Sequence, residues 1–287
     1  MINKFIITTD LSPTSYAIVN CMGSLKGFGA NECLLLQCLS QQEMASLALS
    51  YTSAPVENML NEQRQTLEKH GFTVTTRVVS SNLKQEVNHI AEKENYSLIV
   101  LGYSRSTVRD TFLGGIAYNV IHHARKPALV VPVGTKDYED VCTRFVDLGK
   151  HILYPTDFSE NADLTFSFVE EFVSLGAKHI TLLHVQDKPR LDTYLKDRIE
   201  EFNRIDRERL ESLAESLKKR GNPEIDIELA YGSPYTEIMQ LIRTRDISLV
   251  VMGSQGRGFI QELFLGSVSH NIVQNSEAPV MLIPAKR

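Results

Sequence analysis

The chain has 287 residues, 43% of them hydrophobic, so it is long enough for two domains that each have a core. Its formal net charge is −5, and charges of both signs are mixed along the sequence without a long basic run. This pattern argues against nucleic acid as a partner. The N-terminus lacks a signal-peptide pattern and no apolar run could span a bilayer, so we expect a cytoplasmic protein without membrane insertion.

The first half of the chain alternates short apolar runs with polar, helix-compatible segments. The apolar runs start at Phe5, Leu34, Leu98 and Ala128. Continuous runs of this kind are typical of strands that are covered on both faces. The stretch 134–150 is polar and lacks clear periodicity, so we expect a linker there, between domains at 1–138 and 147–287.

The second half repeats the alternation of strands and helices. Apolar residues from Leu195 to Leu217 recur at helical spacing, and Gly221-Asn-Pro223 is expected to end that helix. This alternation predicts an α/β fold with an open parallel sheet and right-handed crossovers in each half. The predicted strands of the second half lie near Ile152–Tyr154, Ile180–Val185, Ile225–Ala230, Ser248–Met252 and Val280–Ile283.

The two halves carry the same motifs in the same order, which indicates a duplicated module. Thr9-Asp10-Leu-Ser12 corresponds to Thr156-Asp157-Phe-Ser159, and Gly102 corresponds to Gly253. Two copies of this length suit two tandem domains better than a solenoid, whose repeats are far shorter.

A glycine-rich segment after the fourth predicted strand of the second half is the strongest functional signal. It runs from Gly253 through Gly256 to Gly266 and Ser267, where a helical pattern begins. Backbone N–H groups and the positive end of the helix dipole favour a phosphate at such a helix N-terminus. Ser267 is expected to cap the helix and to offer its hydroxyl to a phosphate oxygen. The glycines alone fit a tight turn before a capped helix equally well.

Together, these motifs resemble the universal stress protein family over nearly the whole chain. The family motif is Gly, two residues, Gly, nine residues, Gly, then Ser or Thr, and Gly253, Gly256, Gly266 and Ser267 meet it. Residues 154–160 and Leu182-Leu-His-Val185 are also typical of ATP-binding members. The resemblance implies two tandem doubly wound domains, each an open five-stranded parallel sheet with helices on both faces, that hold ATP, ADP or AMP, with Mg²⁺ as a companion ion.

The resemblance also implies roles for particular residues. It places Asp157 near the ribose or adenine, the main chain of Val185 at the adenine edge, and the Gly253–Ser269 loop around the ribose and phosphates. Asp157 alone also fits a cap or turn, and Arg257 a solvated loop side chain. The candidate nucleotide-binding residues are Thr156, Asp157, Val185, Met252, Gly253, Gly256, Arg257, Gly258, Gly266, Ser267, Val268 and Ser269.

Many members of the family dimerise through their last strand, which is Val280–Ile283 here. The resemblance therefore implies pairing of the two domains within one chain, or a homodimer.

The first copy departs from the motif of the second. Arg105 and Thr107 replace Gly256 and Gly258, and Ile116 replaces Ser267. Arg105 brings a long side chain where the backbone would approach a phosphate, and Ile116 removes the hydroxyl. We therefore predict that the first domain does not bind ATP in the family manner.

The histidines and a charged run have structural interpretations. His122 and His123 are adjacent, so on a helix they point apart and no shared metal site is expected. His184 lies in an apolar strand and is expected to be a core histidine with satisfied hydrogen bonds. The charged residues between Glu200 and Arg209 are expected to form a solvated helix face.

Three functions compete at this point. The favoured one is an adenine-nucleotide-binding regulatory protein of the stress response without catalytic residues. The second is a slow ATPase or another nucleotide-processing enzyme on the same fold. Against it, the chain lacks both a Walker-type loop and a Ser-Gly-Gly-type loop after the first strand of the second half. The third is a non-nucleotide binder or assembly module.

Overall fold

The chain divides into two compact units, Met1–Val146 and Asp147–Arg287. The computed structural model describes residues 2–39, 54–79, 83–104, 117, 120–133, 147–187, 199–256 and 265–285. None of the described helices combines the length and the apolar character that a membrane span requires.

The first unit contains a parallel five-stranded sheet in the order β3-β2-β1-β4-β5. Its strands are β1 (Lys4–Thr9), β2 (Glu32–Cys38), β3 (Thr73–Val79), β4 (Leu98–Ser104) and β5 (Ala128–Val133). Its helices include α1 (Pro13–Cys21), a 3₁₀ helix (Met22–Phe28), α2 (Ala54–Lys69) and α3 (Leu83–Lys93).

The second unit repeats this topology with its five parallel strands in the order β10-β9-β6-β7-β8. Its strands are β6 (Ile152–Thr156), β7 (His179–Asp187), β8 (Glu224–Gly232), β9 (Leu249–Gly253) and β10 (Val280–Ile283). Its helices include α4 (Glu160–Ser174), α5 (Ile199–Arg220), α6 (Pro234–Thr244) and α7 (Ser267–Asn275).

These sheets confirm the predicted α/β fold class. In the second unit the chain adds β7 and β8 on one side of β6, and then returns to add β9 and β10 on the other side. The change of direction creates a topological switch point between the carboxyl ends of β6 and β9, where ligands of open parallel sheets bind.

The central strand β6 is anchored to α4 by a buried tyrosine. The Tyr154 hydroxyl donates to the Ala162 carbonyl at 2.7 Å, and the Tyr154 ring lies 5.6 Å from the Phe166 ring. Burial raises the pKa of Tyr154, so its hydroxyl keeps the donated proton even in alkaline solution. The contact fixes the start of α4 over the sheet, beside the switch point.

The long helix α5 ends where the sequence predicts. It stops at Arg220, directly before Gly221, and its buried residues Leu210, Ala214 and Leu217 lie on one face. The predicted start of this helix near Leu195 lies outside the described residues.

Candidate functional site

A tight turn follows β6 at the switch point. The Thr156 Oγ1 atom accepts a hydrogen bond from the Phe158 N–H at 3.0 Å, and Asp157 Oδ1 accepts one from the Ser159 N–H at 3.1 Å. Phe158 adopts the left-handed conformation with a φ of 56°. Ser159 then caps α4 by accepting from the Ala162 N–H at 3.2 Å. The turn therefore holds Asp157 at the carboxyl end of the central strand.

The first unit contains the same turn after β1. Thr9 Oγ1 accepts from the Leu11 N–H and Asp10 Oδ1 from the Ser12 N–H, both at 3.0 Å. The Ser15 hydroxyl also donates to Asp10 Oδ1 at 2.5 Å. The position that corresponds to Ser15 in the second unit is Ala162, which has no hydroxyl. The first copy therefore uses its aspartate within its own turn and helix start.

The glycine segment after β9 packs closely against the turn after β6. A Cβ atom added to Gly256 would lie 2.6 Å from Asp157 Oδ2, and one added to Gly253 would lie 2.6 Å from Asn161 Nδ2. Asn161 Nδ2 also donates to the Gln255 carbonyl at 3.1 Å. A side chain at Gly256 would displace the Asp157 carboxylate, and one at Gly253 would displace the Asn161 amide and press on the Gln255 carbonyl, so glycine allows this approach without such shifts.

The start of α7 is attached to the same segment. The Gly266 N–H donates to the Ser254 carbonyl at 2.7 Å, and the Ser269 hydroxyl donates to the Gly253 carbonyl at 2.8 Å. Both described ends of the glycine-rich loop therefore meet beside Asp157. Arg257 and Gly258 lie outside the described residues, so their predicted contacts with phosphate stay predictions.

The prediction that Ser267 caps α7 is wrong. The N-cap is Gly266, which has extended backbone angles (φ −68°, ψ 153°) and no side chain with which to cap. Ser267 is the first helical residue and its side chain is exposed. The cap falls on the residue before the first helical one, and the helical pattern alone does not fix that boundary to a single residue. The predicted contact of the Ser267 hydroxyl with phosphate stays a prediction.

The neighbouring strand β7 extends beyond the end of β6. The pairing between β6 and β7 ends at Thr156 and His184, whereas β7 continues to pair with β8 at Val185 and Ala230. Val185 therefore lies one residue beyond the end of β6 and is half-buried. No β6 residue is paired with it in the strand register.

The structure therefore brings most of the predicted site residues to one edge of the sheet. Thr156 ends β6 and Asp157 follows it, Val185 lies near the end of β7, and Met252 is a buried residue near the end of β9. Val268 is half-buried in the first turn of α7. In the first copy, Arg105, Thr107, Gly115 and Ile116 lie outside the described residues.

His184 is the buried, hydrogen-bonded histidine that the sequence predicts. Its Nδ1 atom lies 2.7 Å from the Thr156 carbonyl oxygen. Because a carbonyl only accepts, Nδ1 carries the proton in this bond. His184 Nε2 lies 3.5 Å from Asp206 Oδ2. The histidine thus joins the end of β6 to β7 and to α5.

The prediction of a uniformly solvated charged face on α5 is wrong at Asp206. Only 14% of the Asp206 side chain is exposed, and its Oδ2 accepts from Gln186 Nε2 at 2.8 Å. Arg204 and Glu208 do form an exposed i,i+4 pair at 3.2 Å. The sequence contains a signal for this difference. Asp206 precedes the buried Leu210 by four residues, and residues at this spacing lie on the same face of a helix.

Sequence and structure comparisons agree with this geometry. The universal stress protein family model matches residues 1–132 and 149–284. The chain belongs to the universal stress protein family. A universal stress protein of Methanocaldococcus jannaschii is 32% identical over 156 residues, which cover 48% of this chain and 96% of that relative. A Mycolicibacterium smegmatis universal stress protein is 24% identical over 253 residues, which cover 87% of this chain and 79% of that one.

A solved structure shows the same fold over the whole chain. The crystal structure of a universal stress protein from Archaeoglobus fulgidus matches with a TM-score of 0.71 at 21% identity, and the match covers 99% of both chains. The tandem arrangement of two universal stress protein domains is therefore shared with a solved member of the family.

We expect Asp206→Ala to lower the free energy of unfolding of the second domain by about 1–3 kcal/mol, because it leaves the buried Gln186 amide without its hydrogen-bond acceptor. Glu208→Ala on the same helix removes only an exposed ion pair and should change the free energy of unfolding by less than about 1 kcal/mol. Urea denaturation followed by circular dichroism measures both effects. Equal destabilisation by the two variants would contradict the assigned role of Asp206.

Proposed function

We propose that the second domain binds an adenine nucleotide (ATP, ADP or AMP) at the carboxyl ends of β6, β7 and β9. In this proposal the protein is a nucleotide-responsive regulator of the stress response and not an enzyme. The observation that carries the proposal is the close approach of Gly256 to Asp157 at the switch point. It leaves exposed backbone, rather than side chains, beside a carboxylate where open parallel sheets take their ligands.

The phosphates would bind at the start of α7. Its N-cap is a glycine, so no capping side chain competes for the N–H groups of the first turn. These N–H groups and the helix dipole favour an anion. The exposed hydroxyl of Ser267 adds a neutral donor at the same place. Mg²⁺, where present, would be held mainly by the phosphates and water.

The nucleoside would bind between the ends of β6 and β7. The main chain of Val185, which lies beyond the end of β6, supports hydrogen bonds to the adenine edge. The carboxylate of Asp157 would accept from ribose hydroxyls. The half-buried Val185 and Val268 provide apolar surface of the kind that an adenine pocket needs.

A regulatory role requires that two states of the protein differ in their affinity for the nucleotide, because a ligand with equal affinity shifts no equilibrium. The glycine-rich loop is the element that a bound nucleotide would bias, since both of its described ends are attached beside Asp157.

The first domain is proposed to lack this site. Its aspartate, Asp10, already accepts a hydrogen bond from the Ser15 hydroxyl. The sequence also replaces Gly256 by Arg105 and Ser267 by Ile116 in that copy.

We expect Gly256→Ala to weaken ATP binding by at least about tenfold, a loss of about 1.4 kcal/mol, because the new methyl group would collide with Asp157 Oδ2. Isothermal titration calorimetry of the full chain with ATP, ADP and AMP measures the affinities. Gly27→Ala is the matched control, because a Cβ atom at Gly27 meets nothing within 4 Å.

Unchanged affinity in Gly256→Ala would contradict the proposed location of the site. Failure of the unmodified chain to bind any of the three nucleotides would favour the non-nucleotide alternative.

The stoichiometry of binding tests the difference between the two copies. We expect the full chain to bind one ATP per chain, because only the second copy retains the complete glycine motif. Saturation at two ATP molecules per chain, measured by calorimetry with a concentration-checked sample, would overturn the assignment of the first copy.

Turnover distinguishes a regulator from an enzyme. We expect the full chain to hydrolyse radiolabelled ATP no faster than buffer without protein, because the proposed role of Asp157 is to bind ribose and not to activate water. Hydrolysis well above that background, lost in Gly256→Ala but retained in Gly27→Ala, would support the ATPase alternative.

A further inference from the structure

A second polar cluster lies at the opposite edge of the same sheet, at the amino ends of β6, β7 and β8. His151 directly precedes β6, His179 is the first residue of β7, and Asp226 lies near the start of β8. Each offers one nitrogen or oxygen ligand atom, and these three atoms all lie within 4.8 Å of one another. The candidate nucleotide site lies at the carboxyl ends of these strands, so this cluster is separate from it.

The strand register creates the cluster. Ile152 pairs with Ile180 and Thr181 pairs with Asp226, so residues before or at the start of three neighbouring strands become adjacent. The imidazole rings of His151 and His179 stack, with centroids 3.7 Å apart and planes inclined by 7°. His179 Nε2 lies 3.1 Å from Asp226 Oδ2.

We propose that His151, His179 and Asp226 form a binding site for a divalent transition-metal ion of the Zn²⁺ type. Zn²⁺ binds imidazole nitrogen and carboxylate oxygen at about 2.0–2.2 Å, usually with four ligands. Two histidines and one aspartate supply three, which leaves a position for water. Mg²⁺ and Ca²⁺ prefer sets of oxygen ligands, so a pair of imidazoles selects against them.

The cluster is accessible to an ion and offers ligands in the required state. The side chains of His179 and Asp226 are 23% and 36% exposed, whereas His151 is buried. Coordination needs neutral imidazoles. Burial, and next the neighbouring His179, lowers the pKa of His151, which is the direction that favours coordination.

Metal binding requires local changes at His151 and at Arg245. The lone pairs of stacked rings lie in parallel planes, so the His151 ring must turn and give up its 2.8 Å contact with Thr181 Oγ1 and its hydrogen bond to the Arg245 backbone. Arg245 Nη1, 3.0 Å from Asp226 Oδ2, must withdraw. Arg245 also bonds Glu228 and therefore keeps a carboxylate partner. The two carboxylates of Asp226 and Glu228 outnumber the one guanidinium of Arg245 beside the histidines.

Titration of the metal-depleted full chain tests the proposal. We expect Zn²⁺ to bind with an affinity that falls by at least about tenfold in both His179→Gln and Asp226→Asn, because each removes a ligand. His123→Gln is the matched control: His123 is an exposed histidine of the first unit, and its loss should leave the affinity unchanged. Co²⁺ as a spectroscopic probe should give the visible absorption of a four-coordinate ion in the unmodified chain.

Absence of Zn²⁺ binding, or equal affinity in His179→Gln and the unmodified chain, would overturn the proposal. Circular dichroism detects a variant that fails to fold. In that case the Co²⁺ spectrum of the unmodified chain tests the proposal, because the spectrum of an octahedral ion would also overturn it. ATP titration of the same variants keeps the two proposals separate, because the metal-site variants should bind nucleotide normally.

Discussion

The close approach of the Asp157 carboxylate to the Gly256 backbone is the constraint on which the candidate site depends. It joins the turn after β6 to the segment after β9, two strands that are neighbours in space but distant in the chain. Asn161 and Ser269 add hydrogen bonds to the same segment, from α4 and α7 respectively. The glycines therefore let the segment pack against Asp157 and Asn161 in their observed positions, and they leave backbone uncovered beside the carboxylate.

The same turn has different hydrogen-bond partners in the two copies. Both end the first strand in a threonine that an aspartate follows, and both bend through a non-glycine residue in the left-handed conformation. In the first copy a serine hydroxyl of α1 bonds the aspartate, whereas the second copy has an alanine at that position. The Ser15 hydroxyl is thus a contact to the aspartate that the second copy cannot make from the corresponding position.

The sequence predicts the duplication, the strands of the second unit and four of the five strands of the first, because apolar runs and repeated motifs are local signals. Strand β3 (Thr73–Val79) is not predicted, because its sequence is mostly polar and forms no apolar run. The end of α5 at Gly221 is equally local. Asp206 is different, because its burial depends on Gln186 in a strand that the local pattern of α5 does not include. The proximity of His151 to His179 depends on strand register, which no motif in either strand specifies. The assignment of Ser267 as the cap was wrong by one residue, because the helical pattern fixes a boundary only approximately.

Phe158 has a further consequence for the rigidity of this region. A bulky residue in the left-handed region is disfavoured by about 1–2 kcal/mol, and glycine would avoid this strain. The phenyl ring, however, lies 4.6 Å from the His184 ring, and the guanidinium of Arg209 lies 5.1 Å from its centre. The side chain therefore acts as a brace between β7 and α5, which a relaxed glycine could not provide. The backbone strain at Phe158 is therefore accompanied by side-chain contacts that hold the turn after β6 against β7 and α5.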